Sequence, residues 1–398
     1  MVAVLALCAA LMLYHHAAYP LLLRVFGRWF GDRHSTTSRA DTETLPTVGL
    51  LVPAHNEEKS ITQKVRNCAE LEYAPGKLSV TVVLDGCEDA TERLARKEAN
   101  ENPNVELNLI CFDRNIGKVA VLNRVIPELQ ADLVALSDVS AVLKPDALTR
   151  AAAHFSDPGV GVVCGTYIMP DDASPGERAY WDYQVRIKSD EAAVSAPMGA
   201  HGAFYVFRRK LFTPLDRDTI NDDFVLPMRM VDGGWRAIYD QTVVATELEA
   251  TANKQDFRRR VRIGAGNLQQ TLLLRNLANP ARPRLAFVFI SGKALRSVMP
   301  FVLLALFIAS VWLAIFTAPI WRKLVALELA GGVMAAAGAL FPARSPKMLT
   351  SFSYWLQGYL ASGIGAVLLL TGHARAAWQV SNWSRGHRPV GSRLKPKG

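Results

Sequence analysis

The stretch LVALSDVS, residues 133–140, constrains the fold of this chain more than any other. Its continuous apolar run is typical of a strand buried on both faces of a parallel sheet. An acidic residue at the end of such a strand, here Asp138, lies in the crevice where open α/β sheets bind ligands. Because burying a bare carboxylate is costly, we expect Asp138 to be solvated, paired or bound to a metal. The alternative is that Asp138 only caps the next turn.

Strands and helices alternate around this stretch. Apolar runs predict strands at 47–54, 78–84, 105–112, 133–138 and 159–167. Helical stripes between them are formed by Ile61, Val65, Cys68 and Leu71, and by Val119, Leu122, Ile126 and Leu129. This alternation predicts an α/β domain with a mainly parallel sheet and right-handed crossovers. Further on, the pattern predicts a helix at 177–193, a short strand at 204–207 and a polar, acidic turn at 220–224.

The two ends of the chain are more apolar than its middle. Hydrophobic residues make up 50% of the chain and mean hydropathy is +0.12, with the excess before Phe30 and after Leu285. Residues 2–26 are long enough to span a bilayer, and arginines follow but do not precede them. The positive-inside rule therefore places the N-terminus outside and the next domain in the cytosol. The net charge of +9 flanks the apolar segments, which favours anionic lipid headgroups over nucleic acid as partners.

These patterns divide the chain into six parts. They are an N-terminal transmembrane helix at 1–30, a linker at 31–46, the α/β domain at 47–275, an interfacial segment at 276–297, transmembrane helices at 298–372 and a basic tail at 373–398. We expect a multi-pass protein of the inner (cytoplasmic) membrane with a cytosolic domain.

The number of C-terminal spans is in conflict with the charge of the tail. Candidate spans lie at 298–316, 324–341 and 352–370. The tail after Gly372 has six Lys or Arg and no acidic residue, which favours the cytosolic side, whereas three spans after the domain place it outside. Either one candidate lies in the interface or the tail breaks the rule, and we favour three spans.

The cysteine pattern gives no sign of a disulfide framework or a zinc site. Cys8, Cys68, Cys87, Cys111 and Cys164 form no CxxC pair, and none has a histidine at zinc-ligand spacing. We therefore expect reduced, cytosolic core residues.

Three acidic sites follow predicted strands or loops at one edge of the sheet: Asp85, Asp138, and the pair Asp222 and Asp223. This set suits a protein that binds a nucleoside diphosphate sugar. One carboxylate would lie near the base or ribose, one would hold Mg²⁺ or Mn²⁺ on the diphosphate, and one would take the proton of the acceptor hydroxyl. The cation is expected because diphosphate leaves poorly until its developing charge is neutralised.

Three motifs follow one another along the chain: VPAHNEE at 52–58, LDGCEDAT at 84–91 and RNIGKVAVLN at 114–123. They resemble the first strand, the nucleotide-binding segment and the R-N-x-G-K-x-x-A-L-N stretch of family 2 glycosyltransferases, whose soluble core has the GT-A fold. The resemblance implies that Asp85 contacts uridine and that Lys118 approaches the nucleotide. The donor-binding residues that it implies are Pro53, Ala54, Asn56, Glu57, Asp85, Lys118 and Asp138.

Further motifs resemble the processive, membrane-embedded branch of that family. LSDVSA lies where the family has its D-x-D motif, which makes Asp138 the metal ligand. INDDF lies where cellulose, chitin and hyaluronan synthases have T-E-D, which assigns catalysis to Asp222 and Asp223, with Asp223 as the base. RRRVRIGAG lies at the place of Q-x-x-R-W and keeps the catalytic arginine as Arg262. Near the end, Trp383 and Arg385 resemble a shortened W-x-x-[ST]-x-R tail.

The chain departs from these motifs at three places. The second Asp of D-x-D is Ser140, so the metal rests on Asp138 alone. In Q-x-x-R-W, Arg259 replaces Gln and Ile263 replaces Trp, which weakens the case for a long polymer. T-E-D becomes Asn221 followed by two aspartates, which keeps the base.

Each assignment has a simpler alternative. Asp85 would only cap the loop after its strand, because Asp-Gly turns are common. Lys118 would be a solvated lysine in the first turn of a helix. Asp222 would be structural or contact the acceptor. His201, in the loop GAHGA, is expected to be a loop residue near the acceptor rather than a metal ligand.

The arginines at 258–262 also have two expected roles. Arg258 and Arg260 are expected to bind lipid phosphates at the membrane surface. Arg262 is expected to contact the diphosphate, for which a guanidinium fork is suited.

The resemblance implies an inverting, metal-dependent glycosyltransferase that moves a sugar from a UDP-sugar to a growing cell-surface polysaccharide. The alternative acceptor is a lipid, such as a polyprenyl phosphate or a glycolipid, that receives a single sugar. A third hypothesis is a catalytically silent subunit of a polysaccharide export complex, which is supported only by the lost second Asp of D-x-D.

Overall fold

The computed structural model describes residues 1–30, 45–102, 107–170, 173, 175–248, 253–341 and 344–374. Most of the linker at 31–46, the start of the strand expected at 105–112 and most of the basic tail at 373–398 lie outside the described residues. Trp383 and Arg385 lie outside them as well.

A sheet of eight strands forms the centre of the α/β domain. The strands are β1 (Val48–Ala54), β2 (Leu78–Asp85), β3 (Leu107–Phe112), β4 (Leu133–Ser137), β5 (Ala141–Leu143), β6 (Val160–Ile168), β7 (Phe204–Arg208) and β8 (Arg236–Glu247). Their order is β3-β2-β1-β4-β7-β6-β8-β5. Strand β1 is parallel to β2 and β4, β2 to β3, and β6 to β8. Strand β7 lies antiparallel between β4 and β6, and β5 is antiparallel to β8, so the sheet is mainly parallel, as predicted.

Helices cover both faces of this sheet and continue at both ends of the chain. The helices are α1 (Val2–Leu13), α2 (Tyr19–Phe30), α3 (Ile61–Ala69), α4 (Thr91–Glu101), α5 (Lys118–Val125), α6 (Ala147–Ala153), α7 (Pro175–Val194), α8 (Asp222–Asp232), α9 (Asn253–Leu273), α10 (Pro283–Val288), α11 (Leu295–Phe316), α12 (Ile320–Leu340) and α13 (Lys347–Leu370).

Burial on both sides explains the apolar runs of the central strands. Along β1, Leu50 and Val52 pack into a cluster with α3, α4 and α6, while Leu51 packs into a second cluster on the opposite face. The second cluster contains α5 and α8 together with Tyr19 and Leu285. The apolar helices from both ends of the chain therefore dock on the face that carries α8.

The prediction of an acidic turn at 220–224 is wrong, because Asp222 and Asp223 form the first turn of α8. Carboxylates in the first turn are favourable for a helix because they interact with its positive end. The sequence also gave no indication of β8, a strand of twelve residues. Leu71 and Leu129 lie beyond the helices whose stripes they were expected to join, because α3 ends at Ala69 and α5 at Val125.

Three helical stretches of the described residues are long and apolar enough to cross a membrane: Val2–Trp29, Pro283–Phe316 and Ile320–Leu340. The first two run through π-helical segments at Tyr14–Ala18 and Phe289–Ala294. The boundary drawn at residue 297 therefore falls inside one continuous helix. Helix α13, which contains the span expected at 352–370, is not among the three.

The arginine-rich segment forms α9, which packs closely along α13. A Cβ atom at Gly264 would lie 2.4 Å from Cα of Ser362, and one at Gly365 would lie 2.1 Å from the carbonyl oxygen of Val261. Only glycine allows the two backbones to approach this closely, as in small-residue crossings of membrane helices. The crossing holds the arginine cluster between the sheet edge and the apolar helices.

The five cysteines are all free. Cys8, Cys68 and Cys164 are buried and Cys87 is half-buried. Cys111 is exposed, so the expectation of a core position is wrong for this residue. The reason is that β3 is an edge strand.

Candidate active site

A cleft of about 2120 Å³ opens where β1, β2 and β4 end. Its lining comes from these strand ends, from the first turn of α8 and from α9, and it continues to α7, the segment Phe289–Ala294 and α13. The cleft therefore connects the edge of the sheet with the helices that are apolar enough to cross a membrane.

Asp138 follows β4 directly and is ion-paired rather than acting as a turn cap. Its Oδ1 accepts a hydrogen bond of 3.0 Å from Nζ of Lys118, and its side chain is 43% exposed. The sequence predicted a solvated, paired or metal-bound carboxylate, and the structure pairs it.

A buried lysine that the sequence analysis missed fixes the loop around Asp138. Nζ of Lys64, which is fully buried on α3, donates hydrogen bonds of 2.7 Å to Oγ of Ser137 and 2.6 Å to the carbonyl of Ala141. Burial lowers the pKa of Lys64. The available signal was its position on the same helical stripe as Ile61 and Cys68, where a lysine must find buried partners.

Lys118, the first residue of α5, bridges two carboxylates. Its Nζ lies 3.0 Å from Asp138 Oδ1 and 3.3 Å from Asp222 Oδ2. Burial alone would lower the pKa of Lys118, but Asp138, Asp222 and Asp223 outweigh it and raise that pKa above its usual value. Lys118 is therefore a cationic member of the acidic cluster and not a solvated lysine of a first turn.

Asp223 lies in the same cluster, one residue beyond Asp222. Burial and the negative charge of Asp222 raise the pKa of Asp223 above the usual carboxyl range, against the opposing effect of Lys118. A carboxylate with a raised pKa is a stronger base than a free one, which suits it to take a proton from a hydroxyl.

A proline explains how α8 holds the neighbouring loop. Pro227 lies inside α8 and has no N–H to donate to the carbonyl oxygen of Asp223, its partner four residues back. That oxygen instead accepts a hydrogen bond of 2.9 Å from the N–H of Ala200. The loop with His201 and Gly202 is thereby fixed against the first turn of α8, which carries Asp222 and Asp223.

Gly202 leaves open the space between two carboxylates. A Cβ atom at Gly202 would lie 3.1 Å from Asp138 Oδ2 and 3.5 Å from Asp223 Oδ2. Within the described ranges no three His, Cys, Asp or Glu side chains form a metal cage. One carboxylate beside open space nevertheless suits Mg²⁺ or Mn²⁺, which often take one or two carboxylates and complete their shell with phosphate. Ser140 lines the same cleft.

The carboxylate of Asp85 holds a loop of the cleft. Its two oxygens accept hydrogen bonds from the N–H groups of Ile116 (2.8 Å) and Gly117 (2.9 Å), and its carbonyl is bonded to Nδ1 of His55 at 2.7 Å. The carboxylate therefore holds the loop before α5 and not the loop after its own strand β2, and its contact with uridine stays a prediction.

The residues of the motif VPAHNEE at 52–58 differ in whether they line the cleft. Pro53, Ala54 and Glu57 line the cleft. Asn56, in a left-handed conformation with φ of 54°, is not part of the lining, and its Oδ1 accepts a hydrogen bond of 2.8 Å from the N–H of Glu88. Its position favours a role in joining two loops, and donor contact by Asn56 stays a prediction.

The arginines of α9 differ in their surroundings. Arg262 lines the cleft together with Asp138, Asp222 and Asp223, and makes no ion pair with any described residue. Arg260 lies over the ring of Tyr354 on α13, 3.5 Å from its centroid, and also donates a hydrogen bond to the Tyr354 carbonyl. Arg258 and Arg259 line the cleft as well, and Arg262 interacts electrostatically with Asp222, Asp223 and Asp138, which places it beside the acidic cluster.

His201 lies in the cleft between aromatic rings. Its ring stacks on Tyr167 at 5.6 Å between centroids and meets Trp181 edge-on at 5.3 Å. Burial and the positive charge of Lys188 hold the pKa of His201 well below its usual value, so the ring is neutral. Its Nε2 is buried and has no hydrogen-bond partner among the described residues. A neutral imidazole with one free nitrogen can donate to or accept from a sugar hydroxyl.

A family model described as glycosyltransferase-like family 2 matches residues 46–266, more than half of the chain. An N-acetylglucosaminyltransferase of Rhizobium leguminosarum bv. viciae is 25% identical over 258 residues, which are 60% of each chain. A beta-monoglucosyldiacylglycerol synthase of Trichormus variabilis is 32% identical over 199 residues, which are 48% of this chain and 42% of the relative. This chain thus spans less than two thirds of the length of either relative.

One solved structure shares the fold over most of the chain. It is the mannosyltransferase PcManGT from Pyrobaculum calidifontis in complex with GDP-Man and Mn²⁺, with a TM-score of 0.70 and 23% identity over 92% of this chain and 99% of that chain. The likeness confirms the fold predicted for the α/β domain and its flanking helices, a GT-A core.

Proposed function

Because the chain belongs to glycosyltransferase family 2, we propose that it transfers a sugar with inversion from a UDP-sugar to an acceptor held at the membrane. The observation that carries the proposal is the pair of carboxylates on either side of Gly202, in a cleft that continues to the apolar helices. A donor at the sheet edge and an acceptor from the membrane side would meet between Asp138 and Asp223.

The reaction is one in-line displacement at the anomeric carbon. The acceptor oxygen forms a bond to that carbon while the bond to the diphosphate breaks, and the hydroxyl proton passes to the carboxylate of Asp223. A single displacement without a covalent intermediate inverts the anomeric configuration. Asp222 and Lys118 set the charge around Asp223, since both lie in the same ion-pair cluster.

The leaving diphosphate needs positive charge. The guanidinium of Arg262 has no ion pair among the described residues and suits bidentate contact with phosphate oxygens. Asp138 would hold Mg²⁺ or Mn²⁺ beside the open space at Gly202. Such a cation neutralises the charge that develops on the leaving diphosphate.

The acceptor in this proposal is a growing cell-surface polysaccharide. The aromatic lining of the cleft between α7 and α13 supports it, because aromatic faces pack well on sugar rings. This lining consists of Tyr180, Tyr354, Trp355 and Tyr359.

The second candidate is a single-sugar transfer to a lipid acceptor, a polyprenyl phosphate or a glycolipid. It is favoured by Ile263, which replaces the tryptophan expected in a polymerising enzyme and is 36% exposed. The relative named as a diacylglycerol-modifying synthase adds support. Polysaccharide export partners stay a prediction from the sequence.

The proposed location is the inner membrane, with the N-terminus outside and the catalytic domain in the cytosol. Three helices that are long and apolar enough to cross a membrane support a multi-pass arrangement. One of them precedes the domain and two follow it, instead of the three that the sequence analysis favoured after the domain. Two spans after the domain would keep the C-terminal tail on the cytosolic side, in agreement with its positive charge.

The test is nucleotide release by the purified full-length protein in detergent. The donors are UDP-glucose, UDP-N-acetylglucosamine and UDP-galactose, with GDP-mannose added because the structural relative holds it. Reactions with Mg²⁺, Mn²⁺ or EDTA are run beside Asp223→Asn. Metal-dependent release from one UDP-sugar, lost in the variant, is expected, and release from GDP-mannose alone would overturn the choice of donor. Product size then separates a polymer from a single addition.

A further inference from the structure

Beyond Asp223, the cleft reaches two cations on the helix that leads into the apolar segment. Lys293 lies in the π-helical turn Phe289–Ala294, and its Nζ is 4.3 Å from the ring centroid of Phe224. Arg296, one turn later, donates hydrogen bonds of 3.1 Å to Gln184 and 2.8 Å to the hydroxyl of Tyr180. Both side chains are half-buried and line the cleft, so they remain open to a ligand.

Neither cation forms an ion pair with a described carboxylate. Among the residues that the structure describes, no carboxylate forms an ion pair with Lys293 or Arg296, whereas Lys118 pairs with two aspartates. A third cation, Lys188, adds positive charge to this wall and is held by two backbone carbonyls, at 2.8 and 2.6 Å. Glu191 supplies one negative charge against these three cations, and its oxygens accept hydrogen bonds from the N–H of Met198 and the hydroxyl of Tyr19.

Three cations and one carboxylate leave this wall of the cleft with a net positive charge, which is costly in a half-buried site unless an anion binds there. Guanidinium and ammonium groups that share one site suit the oxygens of a phosphate or diphosphate. The donor diphosphate is expected at the opposite end, near Lys118 and Arg262, so this second anion site belongs to another molecule.

We propose that Lys293 and Arg296 bind a phosphate or diphosphate group of a lipid acceptor, whose hydroxyl then reaches Asp223. The inference rests on the proposed glycosyl transfer and selects the second candidate acceptor, a lipid, over the growing polysaccharide. Lys293 contacts Phe224, the residue after Asp223, and both cations line the same cleft as Asp223. Helix α11 continues from Arg296 with exposed apolar side chains, Leu304, Ile308 and Trp312, along which a hydrocarbon chain can lie.

Binding to the full-length protein in detergent provides the first test. The probes are farnesyl diphosphate, farnesol, inorganic pyrophosphate and phosphatidylglycerol. We expect farnesyl diphosphate to bind at least tenfold more tightly than farnesol and pyrophosphate, because both the charge and the chain contribute. Equal binding of pyrophosphate would indicate a free anion, and equal competition by phosphatidylglycerol would indicate an ordinary bilayer headgroup. Either result would overturn the proposal.

Variants connect this binding to the two cations. Lys293→Met and Arg296→Gln should each weaken farnesyl diphosphate about tenfold, while Lys293→Arg should retain most of the affinity. The matched controls are Lys323→Met and Arg322→Gln, which remove exposed cations at the start of α12 and should change nothing. If Lys293→Met binds as wild type while melting normally, the assignment of the site is wrong.

A kinetic test separates this inference from the proposed function. Two acceptors carry the same glucosyl unit and the same prenyl chain, one joined through diphosphate and one through a plain glycosidic bond. With the diphosphate acceptor, Lys293→Met should raise the acceptor KM about tenfold and leave the donor KM within twofold. Transfer to both acceptors with equal KM would overturn the inference and leave the glycosyltransferase intact. Binding of farnesyl diphosphate with no transfer from any donor would overturn the proposed function instead.

Discussion

The two ends of the cleft are built in different ways. We call the end at the sheet edge, where we propose that the donor binds, the donor end, and the end between α7, α11 and α13 the membrane end. At the donor end, Asp85 and Asp138 lie where the parallel strands β2 and β4 end, on either side of β1, and the segment 116–118 contacts both. At the membrane end, the contacts join elements far apart in the chain: Tyr19 with Glu191, Arg296 with Gln184, and His16 with Tyr359. A sheet edge therefore assembles the donor end, whereas the membrane end exists only after helices from both ends of the chain have docked on the domain.

The two ends also differ in their charge balance. At the donor end, Lys118 lies between Asp138 and Asp222, so the acidic cluster carries its own counterion. At the membrane end, Lys293 and Arg296 have no carboxylate partner among the described residues. The first arrangement is suited to a cation with its phosphates, and the second to an anion alone.

The largest effect is expected from the residue where the two ends meet. Asp223→Asn should lower kcat by about 10²–10⁴-fold, which is the usual contribution of a general base. The melting temperature should not fall, because the change removes a buried charge. The measurement is nucleotide release with the best donor. The control is Asp216→Asn, whose carboxylate is 61% exposed and paired with Arg229. A variant that keeps a tenth of the wild-type rate would show that Asp223 is not the base.

The pH profile tests the charge of the donor end. Asp223 must be ionised to accept a proton, and burial with Asp222 raises its pKa. Below that pKa the rate should fall about tenfold per pH unit, so the acidic limb should lie above the ordinary aspartate value of about 4. Lys118→Met removes a positive charge that opposes the shift and should move the limb to still higher pH. A limb at or below pH 4, or a shift in the other direction, would contradict this assignment.

The membrane end should be destabilised by a substitution at the crossing of α9 and α13. Gly365→Ala places a carbon 2.1 Å from the carbonyl oxygen of Val261, so α9 and α13 must separate. We expect a loss of stability of about 1–3 kcal/mol, as in overpacked cores, and a lower melting temperature. Gly358→Ala on the same helix is the control, since a Cβ atom there has no neighbour within 4 Å. Equal melting of the two variants would show that the crossing is not close.

The smallest effect is expected from the lysine that supports the donor end. Lys64→Met removes the hydrogen bonds to Ser137 and Ala141 but also removes a buried charge, so these contributions should offset each other in stability. The loosened loop should raise the donor KM about fivefold, or about 1 kcal/mol, with the acceptor KM unchanged. A change in the acceptor KM instead would show that the two ends are coupled through β4.

The sequence predicted the donor end well because each of its signals is local. A buried strand that ends in an acid is readable within a dozen residues, and Asp138 was found in this way. Lys118 was found from the resemblance of its motif to that of family 2 glycosyltransferases. The first turn of α8 was missed because its sequence is typical of a turn. It contains Asn221, Asp222 and Asp223, and Pro227 follows shortly after. The proline in fact leaves the carbonyl of Asp223 free for the N–H of Ala200.

The sequence by itself determined the fold class, the acidic set and the apolar helices, because hydrophobic periodicity and the motifs act over short distances along the chain. Only the tertiary structure decided what faces those residues. It brought Lys118 between two aspartates, buried Lys64 under the Asp138 loop, left Nε2 of His201 without a partner and placed Lys293 beside Phe224. The physical reason is that charge compensation and hydrogen bonding depend on distances in space, and those distances are set by how separate elements pack.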